Sequence, residues 1–516
     1  MSPGELLGFA NKQFDWQYPV LTLYQTLAEN FYPERADFTV TRNVGDELSD
    51  NLINSYPILM RRDLCNSFSS MLRDGDWFKV GVNGEADQAG KSWLDWSGSR
   101  LRKIMYDRQA NFVRSTKEAD HDYGTFGNAV ISVEPNRKYN GLLYRAWHLR
   151  DCAWWDDENG QVCGVIRKWK PTHRMLYDFF GEDKLHRNIT KGMPKSQLNE
   201  ADIYHILIPT ETYGDDNQNK YVSIYLDVAN AHIIEEVPTD NKMYVVPRFQ
   251  TISGSPYAIS PAAITALPDA RMIQSMTYTL MEAGERYTRP PLIATEKVIR
   301  SDVDLSADGI TYVSDTYDEK MGAALRPLMQ DRGGYPIGIN EKEGIMEVIA
   351  SAFYINKLSL PDVNRDMTAY EVQERMKQYR RENLPLFAPI ESEYNGQLCE
   401  ESFRLAMQMG MLGSEKDVPE SLLERDIVFK FESPLSSSEE EKKATQFRMV
   451  AEMLGQAVAL DDGVSQNINF DEALRDAVSG IGAPQKWLNS VEQVMQVRTQ
   501  VAQEQAAMAQ QQADQQ

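Results

Sequence analysis

Few residues in this chain of 516 residues have types and spacing that indicate catalysis or ligand binding. Gly90-Lys91-Ser92 matches the end of a phosphate-binding loop, in which a glycine-rich turn cradles phosphate groups. That motif requires a glycine five positions before Gly90, but position 85 is Glu85, and Gly84 lies one residue too early. The tripeptide also follows Trp77-Phe78 instead of a hydrophobic strand. We therefore expect no nucleotide binding, which disfavours an ATPase.

Titratable side chains give no clearer site. The six histidines show neither His-x-x-x-His nor His-Glu-x-x-His spacing, so we expect no metal site. Four acidic residues surround Trp154-Trp155 and could imitate paired catalytic carboxylates or a cation site. Because they adjoin Asn159-Gly160, a solvated turn is the favoured interpretation. These four residues are Asp151, Asp156, Asp157 and Glu158.

Composition excludes several classes of protein. The formal net charge of -22 argues against general affinity for nucleic acid, because such binding needs Lys and Arg to neutralise phosphates. Four widely spaced cysteines without a Cys-x-x-Cys pair disfavour a zinc ribbon or a disulfide framework and fit a reducing cytoplasm. We expect neither a signal peptide nor a membrane span, since no run of 18 apolar residues occurs. The length predicts several subdomains.

The elements that would position any site change along the chain. Residues 1–120 are predicted to be mainly helical, with amphipathic segments at 21–31, 51–72 and 101–123. From 128 to 249 the chain is rich in strands, predicted from runs of β-branched and aromatic residues separated by turn dipeptides. These runs are AVISVEP, QVCGVIRKW, DIYHILIP and KYVSIYLDV.

A helix, a β-rich segment and a second helix are predicted next. The first helix begins at Ser260-Pro261, with proline in its first turn, and continues to Tyr287 before Pro290-Pro291 stops it. Residues 289–340 contain short strand-like runs and turns, including one at Gly333-Gly334. The second helix is predicted over residues 341–357.

Residues 366–410 give the strongest signal. Thr368 and Glu371 form a Thr-x-x-Glu capping box, in which the two side chains satisfy free amides at a helix start. Apolar residues follow at a spacing close to 3.6, and Pro385 and Pro389 should bend the helix. On the pattern alone this is a long kinked core helix.

The sequence of this segment, Met-Thr-Ala-x-Glu-Val-x-x-Arg after the loop 358–366, resembles the corresponding sequence in portal proteins, the head-to-tail connectors of short-tailed bacteriophages. Other fragments agree in order, so that the resemblance spans residues 20–440. One departure lies in SGSPYAISP at 253–261, where the family more often has an Arg before Ser-Pro. The agreeing fragments are Tyr32-Pro33, Trp77-Phe78, 123–129, 256–267, Pro268-Asp269 and Ser433-Pro434-Leu435.

The resemblance implies an α+β fold with named parts. The first part is a wing at 1–259, with its strand-rich portion at 128–249. Two stem helices at 260–288 and 341–357 follow, with a β-rich clip at 289–340 between them. The remaining parts are a tunnel loop at 358–366, a kinked wing helix with a return strand at 367–432, and a crown with a C-terminal helical barrel or tail at 433–516. The last part has a charged helix at 438–458 and a glycine-containing linker at Gly480-Ile481-Gly482. The Gln- and Ala-rich terminus is either a helix packed on copies of itself or a partly disordered tail.

The resemblance also implies a function without catalysis or a cofactor. The chain would form a homo-oligomeric ring of about twelve subunits at a capsid vertex of the virion, assembled in the host cytoplasm, through which double-stranded DNA passes. Implied partners are the major capsid and scaffolding proteins, the terminase large subunit and the tail adaptor. Candidates for contact with DNA in the channel are Lys342, Lys357, Asn364 and Arg365. The alternatives are a scaffold or internal core protein of the virion, or a soluble enzyme with dispersed active-site residues.

Overall fold

The computed structural model describes the chain in segments that fall into two compact units. The first unit comprises Met1–Leu21, Leu64–Ser260 and Lys357–Gln516, and the second comprises Thr22–Asp63 and Pro261–Asn356. The described residues are 1–43, 45–48, 52–73, 75–84, 86–191, 197–214, 218–288, 292–294, 325–327, 334–355, 389–414, 417–423, 425–431, 438–458, 468–480, 488–489, 493–501 and 503. Helix and strand are mixed among them, which confirms the α+β class.

The helices are bounded as follows. The first five are α1 Pro3–Phe31, α2 Tyr56–Leu72, α3 Gln88–Met105, α4 Phe112–Phe126 and α5 His173–Phe180. Two single turns, α6 Arg187–Thr190 and α7 Thr210–Tyr213, precede the long helices α8 Leu267–Thr288 and α9 Gly334–Ala352. The last three are α10 Gln397–Gln408, α11 Ser438–Val458 and α12 Phe470–Gly480.

The strands, in chain order, are β1 Phe78–Val82, β2 Ile131–Pro135, β3 Leu142–Ala146, β4 Cys152–Asp156, β5 Val162–Trp169, β6 Ile203–Pro209, β7 Tyr221–Asp227, β8 His232–Thr239, β9 Tyr244–Val245, β10 Gln250–Ile252, β11 Ser255–Ile259, β12 Leu292–Ala294, β13 Leu325–Pro327 and β14 Ile427–Phe431. The four runs predicted as strands are confirmed as β2, β5, β6 and β7. Most residues of β6 and β7 are buried, including consecutive ones that face opposite sides of the sheet, which explains why these strands are nearly continuous runs of apolar and aromatic residues in the sequence.

A five-stranded antiparallel meander, β4-β5-β6-β7-β8, is the centre of the first unit. Leu6 and Ala10 of α1 pack on Ile206, Ile208 and Ile224 of this sheet. A second cluster joins helices α5 and α6 to Ile203 and to Ile234 of β8, and it is formed by Leu176, Phe180, Leu185 and Ile189. The sheet is thus covered by helices, as an apolar surface in water requires.

Three smaller sheets are also present among the described residues of the first unit. Strands β3-β2-β9 form one antiparallel sheet, β10 pairs with β11, and β1 pairs with β14 across a long chain separation. Trp77 stacks between Phe112 and Phe431, at centroid distances of 6.5 and 6.1 Å. The return strand predicted within 367–432 corresponds to β14, which pairs with β1 at residues 78–82.

His205 shows why histidine spacing carried no signal. Its ring is buried, with Nδ1 2.5 Å from the Tyr244 hydroxyl and Nε2 2.9 Å from the Ser223 hydroxyl. Burial lowers its pKa well below the ordinary value, and the positive charge of Arg167 adds to this effect. The residue is therefore a neutral histidine in a polar network of the core.

Two predicted helices differ in the structure. The single helix predicted at 101–123 is wrong, because α3 ends at Met105 and α4 begins at Phe112. Asn111 has a left-handed backbone with φ of 58°, which interrupts helical geometry between them. The second long helix, predicted at 341–357, runs from Gly334 to Ala352, so the predicted turn at Gly333-Gly334 is the place where it starts.

The second unit contains the two long helices α8 and α9. A π-helical turn, Ala262–Ala266, leads into α8, so the helix predicted from Ser260 to Tyr287 is confirmed with a local change of winding. Residues 22–63 also belong to this unit, so the predicted wing at 1–259 is divided between the units. Between α8 and α9, the described residues of the predicted clip form an antiparallel pair, β12 with β13.

The predicted kinked helix is described only from residue 389 onward. There a π-helical turn, Ile390–Gly396, continues directly into α10. The charged helix predicted at 438–458 is confirmed as α11, and α12 ends at Gly480. Residues 493–501 are helical, while the capping box at Thr368 and Glu371 lies outside the described residues.

Candidate functional site

The helices α8 and α9 pack against each other in antiparallel directions. Gly338 of α9 lies against Leu280 of α8, so close that a Cβ at Gly338 would be 2.7 Å from Leu280 Cδ2. Nearer the end of α8, Gly284 faces Tyr335, and the rings of Tyr287 and Tyr335 stack with centroids 6.1 Å apart and planes 17° apart. Two glycines therefore set how closely the helices approach.

The buried side of α8 and of the π-helical turn before it is made of small and medium side chains. Ala262, Ala266, Ala270, Ile273 and Thr277 recur at intervals of three or four residues and are buried. This spacing places them on one face of a helix. The opposite side of the helix remains open to solvent.

A hydrogen-bonded clamp holds residues 53–54 against α8. The Gln274 side-chain oxygen accepts hydrogen bonds from the backbone amides of Ile53 at 2.9 Å and Asn54 at 2.7 Å. Its amide nitrogen donates to the Asn54 carbonyl at 2.7 Å, and the Asn54 side chain donates to Thr277 Oγ1 at 3.1 Å. The side-chain oxygen Oδ1 of Asn54 in turn accepts a hydrogen bond from the backbone amide of Tyr56, at the start of α2, at 2.9 Å. One glutamine thus fixes the chain that enters α2.

Both helices expose large apolar side chains. On α8 and the turn before it, Met281 is 63% exposed and Met272 is 52% exposed, and Tyr278 and Ile264 are similarly accessible. On α9 the exposed apolar residues are Tyr335, Ile337, Ile339 and Val348. Exposed apolar side chains grouped on two paired helices are typical of a surface that contacts another macromolecule.

The helix pair is acidic. It contains six carboxylates, Asp269, Glu282, Glu285, Glu341, Glu343 and Glu347, against three basic side chains, Arg271, Arg286 and Lys342, a net charge of -3. Arg286 is already paired with Glu282 one turn away. Burial raises the pKa of Tyr56 above its ordinary value, and the negative charge of Glu347 adds to the rise. A polyanion would find little attraction along these helices.

Of the four residues predicted from the sequence to contact DNA phosphates, one lies among the residues that the structure describes. Lys342 is half-buried on α9, four residues after Gly338 and seven before the buried Ile349. This spacing puts Lys342 on the face of α9 that packs on α8, so only part of its side chain meets solvent. Lys357, Asn364 and Arg365 lie outside the described residues.

A buried arginine holds the π-helical turn 390–396 in the first unit. Arg73 forms an ion pair with Asp120 in which its Nη1 donates to both carboxylate oxygens, at 2.9 and 2.8 Å, and its Nε donates to Asn395 Oδ1 at 2.9 Å. Its guanidinium also lies 4.4 Å from the centre of the Tyr394 ring. Burial raises the pKa of the Asp120 carboxyl, and the charge of Arg73 opposes that rise. One cation therefore connects the end of α2, α4 and the π-helical turn.

A second arginine reaches the same turn. Arg248 pairs with Asp156 at 3.0 Å and with Glu393 at 3.1 Å, and donates to the Gly160 carbonyl at 2.8 Å. The prediction of a solvated turn is confirmed for 157–160, where Asp157 Oδ1 accepts from the Asn159 and Gln161 amides. It is wrong for Asp156, whose burial raises its pKa while Arg248 opposes that rise.

The tripeptide Gly90-Lys91-Ser92 has a structural role. Asp87 is the N-cap of α3, and its Oδ1 accepts from the Gly90 amide at 2.7 Å and from the Ser421 hydroxyl at 2.5 Å. A Cβ at Gly90 would lie 2.7 Å from that same oxygen, which explains the glycine. The amide that a phosphate would need is thus occupied by a carboxylate.

The sequence did not reveal the residues that fix this geometry. Gly338, Gln274 and Arg73 each act through a partner far along the chain, as with Arg73 and Asn395, which are separated by 322 positions. The one local signal is a glycine within a strong helical pattern, which often marks close packing. Among the helices of the described residues, none is long and apolar enough to cross a membrane.

Two comparisons with known proteins give matching results. The family model for the bacteriophage head to tail connecting protein matches residues 14–488. The portal protein of Salmonella phage epsilon15 is 21% identical to this chain over 437 residues, which cover 81% of this chain and 76% of that protein. Both matches extend across the two compact units.

Proposed function

We propose that this chain, which belongs to the bacteriophage head to tail connecting protein family, forms a closed ring at a capsid vertex of the virion and encloses the channel for double-stranded DNA. The family is structural and not enzymatic. The observation that supports the ring best is the pair α8 and α9, which packs tightly within one chain and still exposes a group of large apolar side chains.

Assembly gives those side chains a partner. Residues such as Met281 and Ile337 are more than half exposed in the single chain, and covering them with a second copy would remove apolar surface from water. Contacts between unlike surfaces of identical copies close into a ring when the rotation between them allows it. About twelve copies is the number we propose.

Helix dimensions are compatible with a DNA channel. With a helix width of ~10 Å, twelve helices side by side have a circumference of about 120 Å and a midline diameter of about 38 Å. Subtracting one helix width leaves roughly 28 Å, which admits duplex DNA. The 22 residues of α8 span about 33 Å along the axis.

Charge would keep such a channel from holding DNA. A net charge of -3 for each helix pair gives -36 for twelve copies. Phosphate binding grows with the number of cations that neutralise phosphates, so an acidic wall lets the duplex slide. We propose that a few polar side chains steady it, namely the cations Arg365, Lys357 and, in part, Lys342, together with the neutral amide of Asn364.

The β-rich segment between α8 and α9 is the proposed docking platform. Strands β12 and β13 pair there, between the two long helices, which supports a role in contact with other proteins. We propose that it binds the terminase large subunit during packaging and the tail adaptor later, and that other surfaces contact the capsid and scaffolding proteins. A ring with residues 292–327 replaced by a short linker should stay assembled and lose docking, and unchanged docking would contradict the assignment.

The ring itself is tested by mass and by imaging. Light scattering at micromolar concentration should give a mass near twelve times 58.8 kDa, and class averages should show an axial hole. Met281→Glu should lower the mass, because it places a carboxylate in the proposed contact, while Met175→Glu, which changes a methionine that is 51% exposed on α5 and lies outside the helix pair, is the matched control. A stable monomer under conditions that permit assembly would refute the proposal.

A further inference from the structure

A polar cleft lies in the first unit, on residues separate from the channel candidates. It has a volume of about 290 Å³ and opens between the end of α3, the turn that follows it, and the hairpin joining β2 to β3. Its polar lining consists of Arg100, Lys103, Asp107, Gln109, Asn136 and Asn140. Of the apolar residues that line it, Ile104 and Leu142 are buried and Met411 is partly exposed.

The cleft is basic in a chain that is acidic overall. Two basic side chains, Arg100 and Lys103, and one acidic one, Asp107, line it, and the segment 100–117 that supplies them has six basic side chains and one acidic one within a chain of net charge -22. Lys103 is exposed and forms no ion pair with the described residues, whereas Arg102 points to Asp76 at 3.0 Å. The Asp107 carboxylate accepts from the Gln109 amide at 2.8 Å, so it is already engaged as a turn cap.

The hairpin adds two more cations in a fixed geometry. Asn136 and Asn140 are bonded to each other through Nδ2 and Oδ1 at 2.7 Å, and Asn136 Oδ1 accepts from the Asn140 amide at 3.0 Å. The tip between them carries exposed Arg137, Lys138 and Tyr139, and Tyr139 has a left-handed φ of 53° and is 75% exposed. The turn is therefore rigid and presents cations and an aromatic ring to solvent.

We propose that this cleft and hairpin tip bind the phosphate backbone of double-stranded nucleic acid. Guanidinium, ammonium and side-chain amide groups are the donors that proteins use toward phosphates. An acidic peptide is the weaker fit, because its side chains would find little apolar surface to cover. Binding here holds the duplex on a surface and does not require that it thread a channel.

A covalently closed circular duplex tests the proposal on the intact assembly. A closed circle cannot thread a closed ring, so its binding reports an outer surface and not the channel. Binding of a circle of a few hundred base pairs would be measured at 50 and 200 mM NaCl for the full chain. The test variant is Arg100→Gln with Lys103→Gln, and the second is Arg137→Gln with Lys138→Gln. The matched control is Arg174→Gln with Lys191→Gln, which removes the same charge from another exposed surface.

The expected result is a loss of affinity in both cleft variants at 50 mM salt with unchanged assembly and melting. A fourfold rise in salt concentration weakens binding about 3.5-fold for every phosphate contact that the protein makes. Removing two contacts should therefore reduce the ratio of the affinities at 50 and 200 mM NaCl about tenfold. Equal weakening in the control, or no binding of the circle by the wild type, would overturn the proposal. Binding of inorganic phosphate without the circle would assign a small-anion site, and binding of polyglutamate without the circle would assign an acidic protein partner. Either outcome refutes a nucleic-acid surface and leaves the channel proposal standing.

Discussion

The ion pair between Arg73 and Asp120 permits the sharpest test of how the first unit is held together. The two side chains are 2% and 1% exposed, and Arg73 Nη1 contacts both carboxylate oxygens of Asp120. Arg73→Met keeps most of the side-chain volume and removes the charge. It leaves the Asp120 carboxylate buried without a counter-charge and removes the bond to Asn395. Breaking a buried pair in this way costs about 3–5 kcal/mol.

That free energy converts into a measurable melting shift. For a unit of roughly 380 residues, an unfolding entropy of about 2.1 cal/mol/K per residue gives about 0.8 kcal/mol/K. A loss of about 4 kcal/mol then lowers the melting temperature by about 5 °C. Thermal unfolding followed by circular dichroism, on the assembled protein at pH 7.5, measures this shift.

An exposed pair of nearly the same length is the matched control. Arg174 and Asp178 on α5 lie 3.0 Å apart, but their side chains are 55% and 45% exposed. Arg174→Met should cost only about 0.3–0.5 kcal/mol, because water and ions screen the pair. Adding Asp120→Asn to Arg73→Met should restore much of the lost stability by removing the unpaired charge. If Arg73→Met melts no lower than Arg174→Met, the assigned role of this pair is wrong.

The pH dependence of the Arg73→Met variant gives a second readout. Burial raises the pKa of Asp120, and in the variant Arg73 no longer opposes the rise. A carboxyl whose pKa is raised in the folded state binds a proton more tightly in the folded than in the unfolded protein. The free energy of unfolding therefore falls as the pH rises from the unfolded-state pKa to the folded-state pKa. The deficit of the variant relative to the wild type should therefore shrink as the pH is lowered from 7.5 toward the ordinary pKa of a carboxyl. A deficit that stays constant down to that pH would exclude a buried carboxylate as its cause.

Three further perturbations address the second unit and the channel. Gly338→Leu should separate α8 from α9 and lower both the melting temperature and the assembled mass. Gly344→Leu, on the same helix with nothing within 4 Å of its Cβ position, should leave the assembled mass unchanged and the melting temperature unchanged or slightly higher. Equal effects of the two substitutions would contradict the close approach of the helices. Gln274→Ala leaves two backbone amides without their acceptor and should cost about 2 kcal/mol, seen as faster hydrogen exchange at residues 53–54, and unchanged exchange would refute the clamp. Arg365→Ala should leave folding and assembly intact and change packaging or retention of DNA, and a ring map with residues 358–366 on the outer rim would rule out its channel role.

Residue type predicted the strands better than periodicity predicted the helices of this chain. Strands β5, β6 and β7 were recognised as runs of β-branched and aromatic residues, because most of their residues on both sides of the sheet are buried. The break between α3 and α4 was not readable, because amphipathic spacing continues across it while Asn111 adopts a left-handed backbone. The start of α9 was missed because Gly334-Tyr335-Pro336 resembles a turn. In the structure Pro336 lies in the first turn of the helix, where its missing N–H costs no hydrogen bond.

The candidate site was predictable as a pair of elements but not as a set of contacts. The sequence located two long helices and placed Lys342 on the second, yet only the packing of Gly338 on Leu280 defines which face Lys342 occupies. The same limit applies to Arg248, whose partners Asp156 and Glu393 lie 92 and 145 positions away. Such pairings depend on tertiary structure, which a local pattern in one sequence does not contain.

The distribution of charge gives the two proposed nucleic-acid contacts opposite properties. On α8 and α9, Arg286 is paired with Glu282 and Lys342 is half-buried, so few cations remain to hold a duplex that must slide. In the first unit, the cleft and hairpin tip present exposed cations such as Lys103 and Lys138 that have no acidic partner among the described residues. If twelve copies carry this surface, a bound circle can contact several of them at once, and its affinity should exceed that of one cleft. The salt dependence of circle binding should therefore be steep and sensitive to the cleft variants. Passage of linear DNA should respond instead to Arg365→Ala. If the cleft variants or Arg365→Ala changed circle binding and passage of linear DNA equally, the two contacts would not be separate.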